Sequence, residues 1–455
     1  METNLWKKYE AERDKIEGLC AEYKEFLSTC KTERECIRYA VSKAREAGVK
    51  SLAEVMAKGE QLVAGDSVYA INMDKAIVMF TVGKRPIEEG INIIGAHIDS
   101  PRLDLKCTPV YENTGFCLFD THYYGGIKKY QWTAIPLALH GVVCKKDGTR
   151  IDVNIGDNED DPVLGISDLL PHLDRKPENK MKDVKGEDLN VLVGTISDEN
   201  AEKDKVKATI MSLLKEKGIE EDDFFSAEIE VVPAGKARDF GLDRSMIMAY
   251  GQDDRVCAYT SLRAWLETKN PEYSTMCLLV DKEEIGSVGA TGMASLYFEN
   301  ALAEIMNATG QYSELALRRA LNRSQTLSSD VTAAVDPNNL APFNVATDAH
   351  FGKGISFNKY TGAGGKSGAN DANPEFISRL RRIMDDANVT YQATEMGRVD
   401  EGGGGTIAYI MAKYGMDVID AGVPVLNMHA PFEITSKVDV YEAYRAYVAF
   451  FASKK

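Results

Sequence analysis

His97 and Asp99, Asp253 and Asp254, Glu283 and Glu284, Asp330 and His429 carry side chains that hold divalent cations or move protons. Each stands at the edge of an apolar run or beside a turn. Taken singly, each has an ordinary reading. Taken together, in this order, they have the make-up of a two-metal hydrolytic centre.

The first pair carries its own mechanics. Residues 91–96 are mostly apolar and end in Gly95 and Ala96, the pattern of a buried central strand. His97 follows at the strand's end, where open α/β sheets place their sites. Residues two apart in an extended chain share a face. Asp99 is therefore placed to accept the second ring N–H of a metal-bound His97, fixing its tautomer and raising its basicity. Ser100-Pro101 ends the strand. The plain alternative is a buried, hydrogen-bonded histidine.

Asp253-Asp254 precede residues 256–262, whose apolar residues have helical spacing. Acids suit a helix start and Asp is a good N-cap, so capping is the plain reading. The functional one makes Asp253 a carboxylate that bridges two ions roughly 3.5–4 Å apart. Glu283-Glu284 follow the strand-like residues 275–280 and precede the Gly286-Ser287-Val288-Gly289 turn. A turn beginning there aims both acids at one pocket. One then ligates a metal while the other, as general base, takes a proton from water attacking a carbonyl. Asp330 lies in residues 327–334, where an N-cap or Asx turn is the plain reading. His429 follows the apolar residues 423–428. One histidine plus carboxylates per ion fits zinc, with manganese and cobalt as further candidates.

Five segments together resemble the aspartyl aminopeptidase and vacuolar aminopeptidase I family of cocatalytic zinc metallopeptidases. They are His97-Ile98-Asp99-Ser100-Pro101, Gln252-Asp253-Asp254-Arg255, Lys282-Glu283-Glu284-Ile285-Gly286-Ser287, Ser329-Asp330-Val331 and Asn427-Met428-His429. The order is kept over nearly the whole chain. The resemblance implies two divalent ions per subunit, held by His97, Asp253, Glu284, Asp330 and His429, with Asp253 bridging. It implies Glu283 as general base and Asp99 as the residue that orients His97. Relatives have the bridging Asp two residues before the basic position, which selects Asp253 and leaves Asp254 as the alternative. The implied reaction removes the N-terminal residue, acidic or neutral, from peptides by a two-metal-activated water. Family members also carry a histidine segment that reaches a neighbouring subunit's site. Leu170-Pro171-His172-Leu173 resembles its start, which makes His172 a candidate ligand or donor, but the second histidine expected is replaced by Lys176. Lys359, Gly405 and Thr406 correspond to substrate-facing positions.

The elements that must position these residues follow from the rest of the chain. With 455 residues, two or three domains are expected. Helices are expected over residues 5–27 and 32–47, and strands over 68–73 and 76–82. Residues 106–243 have a different texture, with β-rich pieces such as 151–155, an acidic turn at 157–161 and a Lys-rich linker at 175–187. If His97 meets Asp253, that middle stretch is an insertion. The expected fold is thus α/β, a mixed sheet sandwiched by helices, formed by residues 1–105 and 244–455. Residues 106–243 form an inserted β-rich domain, which the resemblance makes a dimerisation domain within a tetrahedral dodecamer. Glu433 to Asp439 read as the opening of the last helix, with Ser436 as cap and Asp439 as the acid three residues on.

Net charge of −16 argues against a nucleic-acid surface. No apolar run spans a bilayer, and residues 1–8 hold no apolar signal core, so a cytoplasmic protein is expected. Eight cysteines without Cys-x-x-Cys spacing read as free thiols. Residues 360–367 end in Gly-Lys-Ser like a phosphate loop, but Tyr360 stands where its first glycine belongs, so a surface loop is expected. His122, His140 and His350 read as structural or solvent-facing. Two rival functions share these features: a metal-dependent deacylase or carboxypeptidase on acylated amino acids, and a non-catalytic assembly protein of the same fold.

Overall fold

The computed structural model describes residues 5–173 and 184–454. Lys176 and most of the Lys-rich linker lie outside the described residues. The chain divides into two compact units: Met1–Asp99, Ala237–Met428 and Glu433–Lys455 in one, Ser100–Lys236 and His429–Phe432 in the other. The divides fall at 99/100 and 236/237 rather than at 105/106 and 243/244. The strand Arg102–Asn113 already belongs to the second unit's sheet, and Arg238–Phe240 already pairs within the first.

The first unit is built on a nine-stranded mixed sheet. Its middle consists of three parallel strands, Thr275–Val280, Asn92–His97 and Gln325–Ser328. Asp417–Gly422 continues the parallel set, and antiparallel strands flank it on both sides. The central strands are buried on both faces, as their near-continuous apolar runs require. Alternation along them feeds two separate cores. Ile94, Ala96, Cys277 and Leu279 face one, with helices Arg13–Thr29, Gln252–Glu267 and Lys437–Ala452. Ile93, Met276 and Leu278 face the other, with Tyr297–Ala308 and Glu314–Asn322. Helices on both faces of a mixed sheet make the α/β architecture expected.

Local details differ from the sequence reading. The first helical stretch is interrupted, running Leu5–Lys8, a 3-10 turn at Glu10–Glu12, then Arg13–Thr29. Glu33–Glu46 starts at a capping box formed by Thr32 and Glu35. Glu433–Ser436 is a strand of a separate five-stranded sheet, and the last helix starts only at Lys437. Asp439 makes no capping box there. Its carboxylate accepts the backbone N–H groups of Gly352 and Gly354, at 2.7 and 2.8 Å.

The second unit holds a six-stranded antiparallel sheet and the helix Lys205–Glu216. No helix among the described residues is long and apolar enough to cross a membrane.

Candidate metal centre

Parallel register brings the first unit's site residues together. His97 pairs with Val280 and Gly95 with Ser328, so the three central strands end at nearly one level. The N–H of Ile98 donates to the Val280 carbonyl at 2.9 Å, and that of Ser329 to the Gly95 carbonyl at 2.7 Å. The chain leaving each strand delivers Asp99, Glu283 with Glu284, and Asp330 to the same edge. Asp253 and Asp254 come from the start of Gln252–Glu267, with non-helical torsions and a cis peptide between them.

His97 Nε2 lies 3.2 Å from Asp253 Oδ1 and 3.8 Å from Asp330 Oδ1. Its Nδ1 lies 3.0 Å from the Asp99 carbonyl oxygen and 3.2 Å from Asp99 Oδ1. Both Asp99 oxygens near Nδ1 are acceptors, so Nδ1 carries a proton, and Nε2 is the nitrogen that faces the two carboxylates. The Asp99 carboxylate also accepts the N–H groups of Glu283 and Glu284, each at 3.1 Å. One buried carboxylate thus ties the imidazole to the Glu-Glu turn. Glu284 and Asp253 each bring a carboxylate oxygen within 4.8 Å of the other. Asp254 faces elsewhere, its Oδ2 accepting the His97 backbone N–H at 3.3 Å.

The donor chemistry fits a cation. His97, Asp253 and Asp330 bring one ligand atom each within 4.8 Å of one another, all of them acceptors once Nδ1 holds the ring proton. Ligands at about 2 Å from one ion lie no more than about 4 Å apart, which the 3.2 and 3.8 Å separations from His97 Nε2 satisfy. Without positive charge the arrangement is unfavourable. Burial pushes the Asp330 carboxyl well above its usual range, reinforced by Asp254, Glu283 and Asp253 and opposed by His97. Burial likewise raises Asp254. Burial works against protonation of His97, but its contacts with Asp253 and Asp99 prevail and raise it. A divalent ion supplies what these groups otherwise seek from protons.

The other predicted residues are placed as follows. His429 is half-buried in the second unit, its Nδ1 3.0 Å from the Gly126 carbonyl oxygen. His172 is exposed on a turn and belongs to no cation-holding group among the described residues. Lys359 is exposed, 3.9 Å from Asp371. Gly405 is exposed, with open space above its Cα. Thr406 is buried, and its hydroxyl donates to Asp420 Oδ1 at 2.6 Å. Lys366 of the Gly-Lys-Ser stretch stacks on Tyr360 and lies 3.4 Å from Asp371. His140 is buried 2.9 Å from Asp157, His350 lies 2.9 Å from the Val345 carbonyl oxygen, and His122 is exposed on a strand.

Sequence reasoning missed Asp281, Asp420 and Glu433. Asp281 ends the strand that leads to Glu283 and accepts from Thr291 Oγ1 at 2.5 Å. Burial, then the charges of Glu33 and Asp99, push its carboxyl up to about 7. An acid closing a buried strand was the available signal. Asp420 and Glu433 find their partners only through distant strands and had none.

Residues 26–451 match the family described as Aminopeptidase I zinc metalloprotease (M18). A Clostridium acetobutylicum protein named as a probable M18 family aminopeptidase 1 is 55% identical over 452 residues, 98% of this chain and 97% of its own. The crystal structure of aminopeptidase I from C. acetobutylicum has a TM-score of 0.92 at 54% identity. That of an M18 family aminopeptidase from Thermotoga maritima has 0.94 at 45%. Each of these two alignments covers 99% of both chains.

Proposed function

The chain belongs to the M18 family of aminopeptidase I zinc metalloproteases, and on that premise we propose that it cleaves the N-terminal residue from peptides at a two-metal centre. His97, Asp253 and Asp330 would hold one ion; the second falls to Asp253, Glu284 and His429 on the family resemblance. When bound, such a pair lowers the pKa of a water and polarises a carbonyl oxygen.

The remaining work belongs to the chain's own groups. Glu283 takes the proton of the attacking water on a carboxylate oxygen and passes it to the leaving amine. Asp99 keeps His97 in the tautomer that presents Nε2. Gly405 leaves its backbone open to substrate, whereas the Thr406 hydroxyl is committed to Asp420. Lys359 is the cation available to an acidic N-terminal side chain, in competition with Asp371. Self-association completes the proposal: dimers through the second unit, and a tetrahedral dodecamer from these.

One observation carries the reading. The Asp99 carboxylate contacts the ring of one proposed ligand and the backbone of both the base and another ligand. The test is hydrolysis of Asp-, Glu- and Leu-anilides by metal-stripped protein, before and after adding zinc, manganese or cobalt. Metal-restored cleavage, with N-acetylated counterparts inert, is expected. Cleavage of acylated substrates alone, or none with any metal on folded protein, would overturn the reading.

A further inference from the structure

Gln252, immediately before Asp253, is wholly buried. Its Nε2 donates to the carbonyls of Ile247 at 3.1 Å and Glu433 at 2.7 Å. Its Oε1 accepts from Thr435 Oγ1 at 2.6 Å and from Tyr23 Oη at 3.2 Å. An amide has two N–H donors and two acceptor positions, so its capacity is filled. No other side chain reproduces that pattern: a Glu would turn oxygens toward two carbonyls, and an apolar residue would leave buried hydroxyls and carbonyls unpaired.

Glu433 returns the grip. It is 1% exposed, and its Oε2 accepts the Asp253 backbone N–H at 2.8 Å. That N–H opens a helix, where no preceding carbonyl is available to it. Residue 252 therefore holds the backbone of 433, and the side chain of 433 holds the backbone of 253. The loop of contacts closes around the one residue whose carboxylate must face His97 and Glu284 at once. Metal–ligand distances fall within about 0.2 Å of their usual values, so the backbone that carries the Asp253 carboxylate must be held in place.

We propose that Gln252 and Glu433 are positioning residues that fix Asp253 for cation binding, with Thr435 and Tyr23 holding the Gln252 amide the right way round. The inference rests on Asp253 being a metal ligand. It also gives the N-terminal helix Arg13–Thr29 a part in the site, through Tyr23.

The test is zinc affinity, measured by chelator competition on full-length folded protein, alongside the melting temperature of the metal-free form. Glu433→Ala is expected to weaken zinc about 10–100-fold, as loss of an outer-shell contact does. Glu433→Gln keeps an acceptor oxygen and is expected to restore affinity to within about threefold of wild type. Thr435→Val, similar in shape, removes one of the two donors to Gln252 Oε1 and is expected to weaken zinc severalfold, while the metal-free melting temperature falls only by the loss of one buried hydrogen bond. If Glu433→Ala fails to fold, Thr435→Val decides alone. Wild-type zinc affinity in these variants, together with lost affinity in Asp253→Asn, would overturn the positioning role and leave the ligand reading intact. Wild-type affinity in Asp253→Asn would remove the ligand reading and this inference with it.

Discussion

Glu283 and Glu284 are adjacent in sequence, share one carboxylate through their N–H groups, and are proposed for different tasks. Substitution separates them. Glu283→Gln is expected to lower kcat about 10²–10⁴-fold, the usual worth of a general base, with metal content unchanged. Glu284→Gln is expected to lower metal affinity as well as turnover. A Glu283→Gln protein with full metal and normal kcat would show the base to be elsewhere. Asp99→Asn puts an amide N–H₂ against a backbone N–H. Zinc affinity is expected to fall about 10–100-fold, read by chelator competition.

At the scale of elements, strand Asp417–Gly422 ends close against the Ser329-Asp330 segment. A Cβ on Gly422 would fall 1.8 Å from the Asp330 carbonyl oxygen. Gly422→Ala is therefore expected to displace Asp330, lowering both melting temperature and metal content. Gly405→Ala, with nothing within 4 Å of the added carbon, is expected to leave metal content alone. The Thr406–Asp420 clamp that holds the glycine turn has its own signature in pH. Burial raises the Asp420 carboxyl from its usual value of 3.8 to about 6, so the folded state keeps this proton longer than the unfolded chain. Its stabilising share is complete below the unfolded value and is lost as pH rises through the folded one, on the order of 3 kcal/mol. Asp420→Asn does not ionise. Its stability relative to wild type is expected to improve between about pH 4 and about pH 6 in urea titrations and to level off above that, and an unchanged difference would contradict the buried charge. Legibility divides the same way. Strand Thr275–Val280 was readable from its apolar run, and the helix expected over residues 32–47 is observed at Glu33–Glu46. The strand Glu433–Ser436 was not, because a four-residue stretch beside a helix becomes a strand only through pairing with Met246–Ala249 and Pro424–Leu426. The acids at the strand ends were legible as types. The amide and hydroxyl groups that fasten them were not, since nothing in Gln252 or Thr435 alone foretells a partner so far along the chain.

At the scale of the molecule, ions that bind only the folded chain stabilise it by mass action. Stripping metal is expected to lower the melting temperature, and zinc to restore it in proportion to the logarithm of its free concentration. Light scattering on the eluted protein is expected to give a multiple of 50.1 kDa, and a monomer at assay concentration would contradict the proposed self-association. The order of strands also has a price in time. Asn92–His97 sits between Thr275–Val280 and Gln325–Ser328, and the segment Ser100–Lys236 of the second unit is translated before either neighbour exists. At about 5–20 residues per second, this apolar strand leaves the ribosome roughly ten to forty seconds ahead of its partners. For that interval its edges are open to any other chain being made nearby, so chaperone supply during synthesis, more than the stability of the finished sheet, is expected to limit how much soluble enzyme a cell accumulates.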